Sequence, residues 1–148
     1  MAFLVPYVNE IKVIDITLSA EGDLILWIIL ADDGLVHRMG SGSLLDKDLD
    51  VFIGLSNEPL FDELRSYVSA EMLDNAGVYS DPNYKGIPSN LIITFLDNGP
   101  GVLIEYNYGS ESVGPPRDIQ SFVRAAIAIT NDWQIEQKRI RDLNAPQK

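Results

Sequence analysis

Cysteine is absent from the 148 residues. Disulfide scaffolds, thiolate metal sites and thiol nucleophiles are therefore excluded at once. An absent cysteine also fits a reducing compartment. Histidine is nearly absent: His37 is the single one. A cysteine–histidine or multi-histidine zinc site cannot form from it, and a Ser-His-Asp triad would have to use that one imidazole. Long apolar runs are missing as well. The longest, residues 24–31, has eight residues, whereas a membrane span needs about 20. The first residues, Met-Ala-Phe-Leu-Val-Pro-Tyr, carry no base and are broken by Pro6, which does not fit a secretory leader. The expectation is a soluble cytoplasmic protein without a cofactor or a membrane partner. A mature secreted form is the alternative.

Bases are scarce, and their distribution is the most informative feature of the chain. The formal net charge is −11, from 22 Asp+Glu against 11 Lys+Arg. Residues 1–116 hold 18 acids and 5 bases, a net of −13. Residues 117–148 hold 4 acids and 6 bases, a net of +2. Between Asp32 and Asp74 alone, 10 acids face Arg38, Lys47 and Arg65. A field of that sign repels nucleic acid and anionic lipid and attracts basic surfaces.

What is present otherwise is ordinary for a globular chain: 46% hydrophobic, 22% charged and 9% aromatic residues, enough for one domain spanning 1–148 with a sizeable core. Ile14, Ile16 and Leu18 alternate with Asp15, Thr17 and Ser19, as in a half-buried strand. Residues 24–31 are apolar on both faces. Such a strand is covered on both sides, or one of its faces meets a partner. Asp32-Asp33-Gly34 is a hairpin signal leading to a third strand, 35–39. Leu49, Val51 and Ile53 allow a short strand. From Asn57 the spacing of Leu60, Phe61, Leu64, Tyr67, Val68 and Met72 predicts a helix capped by Asn57 or Ser56 and stopped at Asn75-Ala76-Gly77. Residues 78–90 read as a loop. Residues 91–96 and 102–108 form a hairpin across Asp97-Asn98-Gly99-Pro100-Gly101. A long helix follows Pro115-Pro116, with a capping-box pattern at Asn131 and Gln134 that can interrupt it. Its polar end is expected to fray at about 144–148. The fold class is α+β: a mainly antiparallel sheet of five or six strands (three-strand meander, helix, hairpin, long C-terminal helix) with helices packed on it.

No constellation specifies a reaction. Asp46, Asp48 and Asp50 are spaced like the first ligands of a calcium loop, but Val51 stands where glycine is required and Asn57 where glutamate is. The plainer reading is a solvated acidic turn. Gly40-Ser41-Gly42-Ser43 lacks the lysine of a phosphate loop. His37 beside Arg38 reads as a structural or surface histidine. The bases at Lys138-Arg139-Ile140-Arg141 suit the negative end of a helix dipole. Tyr79 and Tyr84, flanked by Pro82 and Pro88, are contact candidates.

Three functional classes remain. The first is an acidic inhibitor of a basic protein. In size, acidity and α+β composition the chain resembles, at the level of class alone, immunity proteins that neutralise a basic toxin such as a nuclease. The residues expected to meet that partner are Asp32, Asp33, Asp46, Asp48, Asp50, Tyr79, Asp81 and Tyr84. The second is an interaction module without catalysis, homodimeric if a second copy caps the strand around Trp27. The third is a hydrolase using carboxylates alone. The missing catalytic motifs favour the first two, so the chain is expected not to be an enzyme.

Overall fold

Alternation and tight turns build most of the sheet. The computed structural model describes residues 8–43, 45, 46 and 48–145. A 3₁₀ turn, Val8–Glu10, leads into β1 (Val13–Ala20), β2 (Asp23–Ala31), β3 (Leu35–Gly40) and β4 (Val51–Leu55). Two short helices follow, α1 (Leu60–Arg65) and α2 (Ala70–Asp74). Then come β5 (Gly77–Ser80), β6 (Pro88–Leu96), β7 (Val102–Gly109) and α3 (Arg117–Asn144). The strands form one seven-stranded sheet in the order β4-β3-β2-β1-β6-β7-β5. The expected fraying of the chain end reaches residues 146–148, which lie outside the described residues.

The class is α+β as expected, with three corrections. The sheet has seven strands rather than five or six. The strand missed is β5, which pairs parallel to β7 at the edge, Gly77 with Ile104 through Ser80 with Asn107. A four-residue parallel edge strand leaves no hairpin turn in the sequence. The helix expected from Asn57 to Asp74 is two helices. Neither Asn57 nor Ser56 caps the first, whose N-cap is Pro59 without a side-chain bond. Ser56 Oγ instead accepts the Glu58 N–H at 3.1 Å in the turn before it. The break is made by serines, which compete with the helix ladder. Ser66 Oγ donates to the Glu63 carbonyl at 2.6 Å. Ser69 is extended, and its Oγ accepts the Met72 N–H at 3.1 Å to start α2. Tyr67 is turned out as a result (55% exposed). The capping-box pattern at Asn131 does not interrupt α3, because Asn131 Oδ1 accepts a bond from Arg38 instead.

One face of the sheet carries the core. Ile14, Ile16, Leu26, Ile28, Val36, Ile93 and Phe95 pack against Leu60, Phe61 and Leu64 of α1, Met72 and Leu73 of α2, and Ile119, Phe122 and Ala126 of α3. The Phe95 and Phe122 rings lie 5.8 Å apart.

The other face carries no helix among the described residues, since all three helices send their buried apolar side chains into that one cluster. Its residues follow from the register. At one end Leu55 pairs with Leu35, and Ala31, Val13 and Leu96 form a row across β2, β1 and β6. The next reads Ile53, His37, Ile29, Asp15, Thr94, Leu103. A third reads Val51, Met39, Trp27, Thr17, Ile92, Glu105. The β4–β3–β2 half of this face is therefore apolar, and polar groups appear from β1 onward. For the strand at 24–31, one face lies under the helices, and no helix among the described residues lies over the other, although Ala31, His37 and Met39 on that side are buried.

The meander depends on one backbone position. Gly40 ends β3 at φ +83. A Cβ there would sit inside the Ile25 carbonyl oxygen and 2.8 Å from its carbon. Gly40→Ala is expected to cost about 2 kcal/mol, from the left-handed conformation and the displaced β2 bulge together. Urea unfolding measures this; an unchanged midpoint would contradict it.

Candidate functional site

The acid-rich turn and the base-rich helix end, far apart in the chain, meet in space. Lys138 Nζ donates to Asp48 Oδ2 at 2.5 Å and Arg141 Nη1 to Asp50 Oδ2 at 2.6 Å. The Arg141 guanidinium also lies 5.4 Å over the Phe52 ring. The Lys138 bond holds the Asp48 carboxyl below its ordinary pKa. Asp32 sits 3.6 Å from Lys12, and Asp33 Oδ1 accepts the Leu35 N–H at 3.0 Å in the hairpin turn. Asp46 is exposed, and its carbonyl accepts from Ser41 Oγ. The turn at 46–50 is thus pinned to α3 rather than simply solvated. Of these five aspartates, Asp32, Asp48 and Asp50 have cations beside them.

Asp48→Asn is expected to cost about 0.5–1 kcal/mol at neutral pH. A depressed carboxyl pKa contributes stability above its unfolded value, lost as pH falls through the folded one. The gap between wild type and variant should therefore close in acid. Chemical unfolding at pH 7 and below pH 4 checks this; a gap that persists in acid would sink it.

The loop residues separate. Asp81 and Tyr84 line a groove of about 340 Å³ with Asn90, Asn107 and Tyr108. Tyr79 does not join them. Its ring stacks on Tyr106 at 5.1 Å, and its hydroxyl donates to the Asn75 carbonyl at 2.7 Å. Glu105 faces away from the core, where its Oε2 accepts from Asn90 and Asn107.

On the sheet face opposite the helices, His37 lies 4.3 Å from the Trp27 ring, and Trp27 Nε1–H donates to Asp15 Oδ1 at 3.0 Å. Burial lowers the His37 pKa below 6.5, against the pull of Asp15. Burial likewise raises Asp15, with the Trp27 bond opposing it. His37 Nε2 is buried and has no hydrogen-bond partner among the described residues. Among the described residues no three of histidine, aspartate and glutamate converge closely enough to hold a metal ion, and no helix is long and apolar enough to cross a membrane.

The concavity that combines shape with charge lies elsewhere, between the entry to α1 and the outer side of α3. It encloses about 610 Å³. Ile129, Trp133 and Ile140 follow one another along one side of α3 and, with Leu60, supply apolar lining. Trp133 is fixed twice. Its Nε1–H donates to the Leu55 carbonyl at 3.3 Å, and its ring fills the space where a Cβ on Gly54 would come within 3.2 Å. Glu58, Glu63, Asp132 and Glu136 complete the lining. Glu136 is paired with Arg139, whose bonds hold its carboxyl below the ordinary range. Among the described residues Glu58, Glu63 and Asp132 have no cation within salt-bridge distance. A tryptophan-bearing groove of mixed polar and apolar lining, edged by carboxylates without a cation beside them among the described residues, can bind a cationic amphipathic surface: its apolar part takes aliphatic side chains, its rim takes lysine or arginine heads.

None of these groove residues is among the eight expected partner-binding ones. A signal was available: Asp132 and Glu136 stand one turn apart on α3, beside Ile129 and Trp133, on the side that carries Ile140. Glu58 and Glu63 were legible only as acids suiting the start of a helix. No family model matches the chain, and no curated protein matches it at a significant level.

Proposed function

We propose that the protein is an acidic binding module that holds and inhibits a basic protein through the groove between α1 and α3. The observation that carries this reading is the trio Glu58, Glu63 and Asp132, which line the groove with Trp133 and have no cation within salt-bridge distance among the described residues. Three charges placed around an apolar floor discriminate by sign, and they accelerate encounter with an oppositely charged surface. In its most concrete form the module is an immunity protein: a partner surface that normally holds phosphate would be masked by the groove and its rim. The acids at 46–50 contribute less, because α3 already neutralises Asp48 and Asp50.

The test uses two synthetic amphipathic helical peptides of the same leucine pattern, one with lysine and one with glutamate on the polar face, titrated by calorimetry at 50 and 300 mM salt. The lysine peptide should bind with micromolar affinity that weakens several-fold at the higher salt. Equal binding of both peptides, or none of the lysine peptide, would remove the reading.

A further inference from the structure

Strand β4 ends the sheet, and its register with β3 shows which of its main-chain groups are already bonded. Ser56 N–H donates to the Gly34 carbonyl at 3.0 Å, and Gly54 opposite Val36 and Phe52 opposite Arg38 continue that ladder. Bonding alternates along an antiparallel pair, so the N–H and C=O groups of Val51, Ile53 and Leu55 point away from β3. The Leu55 carbonyl agrees, since it accepts from Trp133 Nε1–H on that outer side. The other outward groups have no strand partner among the described residues. We propose that this edge receives an extended segment of the basic partner, which joins the sheet as an eighth strand. The choice of occupant rests on the proposed function, whereas the open edge does not.

The edge is unprotected. Native sheets blunt their edges with lysine, proline, inward charges or bulges. Residues 51–55 contain no charged residue and no proline, and they pair with β3 without a bulge. Val51, Ile53 and Leu55 are 52%, 65% and 72% exposed. The opposite edge, β5, is only four residues long and runs into Asp81-Pro82. An added strand at β4 would gain affinity from main-chain bonds and specificity from alternate side chains.

Charge selects the occupant. Leu55, Ser56, Asn57 and Glu58 line the groove that Glu63 and Asp132 also line. A strand laid along β4 therefore ends among carboxylates that have no cation beside them among the described residues. It needs apolar residues along Val51–Leu55 and lysine or arginine at the end beside Glu58. A second copy of β4 meets neither demand. Two such strands, antiparallel about Ile53, would set Asp48 of one copy level with Glu58 of the other, in chains that each carry −11. Both would also lack the Leu55 carbonyl, which Trp133 holds.

The test is a twelve-residue peptide with a core of alternating valine and threonine and two lysines at each end, so that either strand direction brings lysines to Glu58. It is titrated into the full chain at 50 mM salt by calorimetry, with amide exchange followed by NMR. Binding should slow exchange at the Val51 and Ile53 amides. The same peptide N-methylated at every core residue should bind at least about tenfold more weakly, for lack of main-chain donors. A version ending in glutamates should bind at least about fivefold more weakly. Ile53→Pro removes an outward N–H that the β3 ladder does not use, and an edge strand tolerates proline there. That variant should also bind at least about tenfold more weakly, with unchanged circular dichroism; the N-methylated peptide asks the same question without altering the protein. Equal binding of the N-methylated peptide, or exchange at Ile53 that does not slow, would overturn the edge as the site. Equal binding of the glutamate peptide would overturn the basic occupant, and a wild-type dimer abolished by Ile53→Pro would give the edge to a second copy instead. If the helical lysine peptide binds and the extended one does not, this inference fails and the proposed function stands.

Discussion

Arg38→Ala is expected to lose about 3–5 kcal/mol of stability, the largest effect of any single change described. Arg38 is 1% exposed in the middle of β3. Its Nε–H donates to the Gly40 carbonyl at 2.9 Å. Its Nη1 donates to the Ile127 carbonyl at 3.1 Å, Thr130 Oγ1 at 2.7 Å and Asn131 Oδ1 at 3.0 Å. No carboxylate forms a salt bridge with it among the described residues. Burial pushes its pKa down to about 10, with Asp48 pulling the other way, so the side chain is still a cation at neutral pH. A buried charge satisfied by neutral oxygens is a clamp. It joins a strand to a helix some 90 residues away and, through Gly40, fixes the turn that ends the strand. Alanine removes four bonds, leaves their acceptors dry and opens a cavity, and those costs accumulate. Arg38→Met keeps most of the volume and should cost about 2 kcal/mol, chiefly for the orphaned acceptors. Urea unfolding of both variants decides it. An alanine variant within 1 kcal/mol of wild type, or a methionine variant less stable than alanine, would show that the clamp carries little.

Arg38 also marks where sequence reasoning stops. Alternation alone places it on the face of Val36, the core face, and a cation there signals either a wrong register or a buried network. Periodicity cannot say which, because the acceptors come from Ile127, Thr130 and Asn131. The same limit hid the pinning of Asp48 and Asp50 to Lys138 and Arg141. Summing charge along the chain separates an acidic body from a basic end, whereas the fold lays one on the other. Features set by neighbours in sequence were legible: the β6–β7 hairpin with its glycine turn, the alternating β1 and the two-faced apolar β2. Features set by contact across the chain were not: parallel β5 and the groove, whose walls come from residues 58–63 and 129–140; the serine-made break between α1 and α2 is local but was masked by the continuous apolar spacing from Leu60 to Met72. The site residues read from local acidity were therefore those in turns, while of the acids lining the groove without a cation beside them Glu63 and Asp132 sit on helices and Glu58 in the turn before α1.

Reversing two of those acids, in the double variant Glu63→Lys with Asp132→Lys, is expected to weaken a cationic amphipathic peptide about 100-fold, or about 3 kcal/mol. One rim carboxylate facing one lysine in water-exposed surroundings contributes about 0.2–1 kcal/mol. Reversal removes that attraction and adds a repulsion of similar size, and two sites act together because both face the same groove. Folding should survive, since both side chains are exposed and neither is bonded to another element. The apolar floor supplies the complementary control. Trp133→Phe keeps a ring against Gly54 but loses the bond to the Leu55 carbonyl. It should weaken the peptide only a few-fold and leave the salt slope intact, whereas the double reversal should flatten or invert that slope. Calorimetry at two salt concentrations separates the two terms. If the double reversal binds the lysine peptide as well as wild type does, the carboxylate rim has no part in recognition, and the acidity of the chain serves solubility alone.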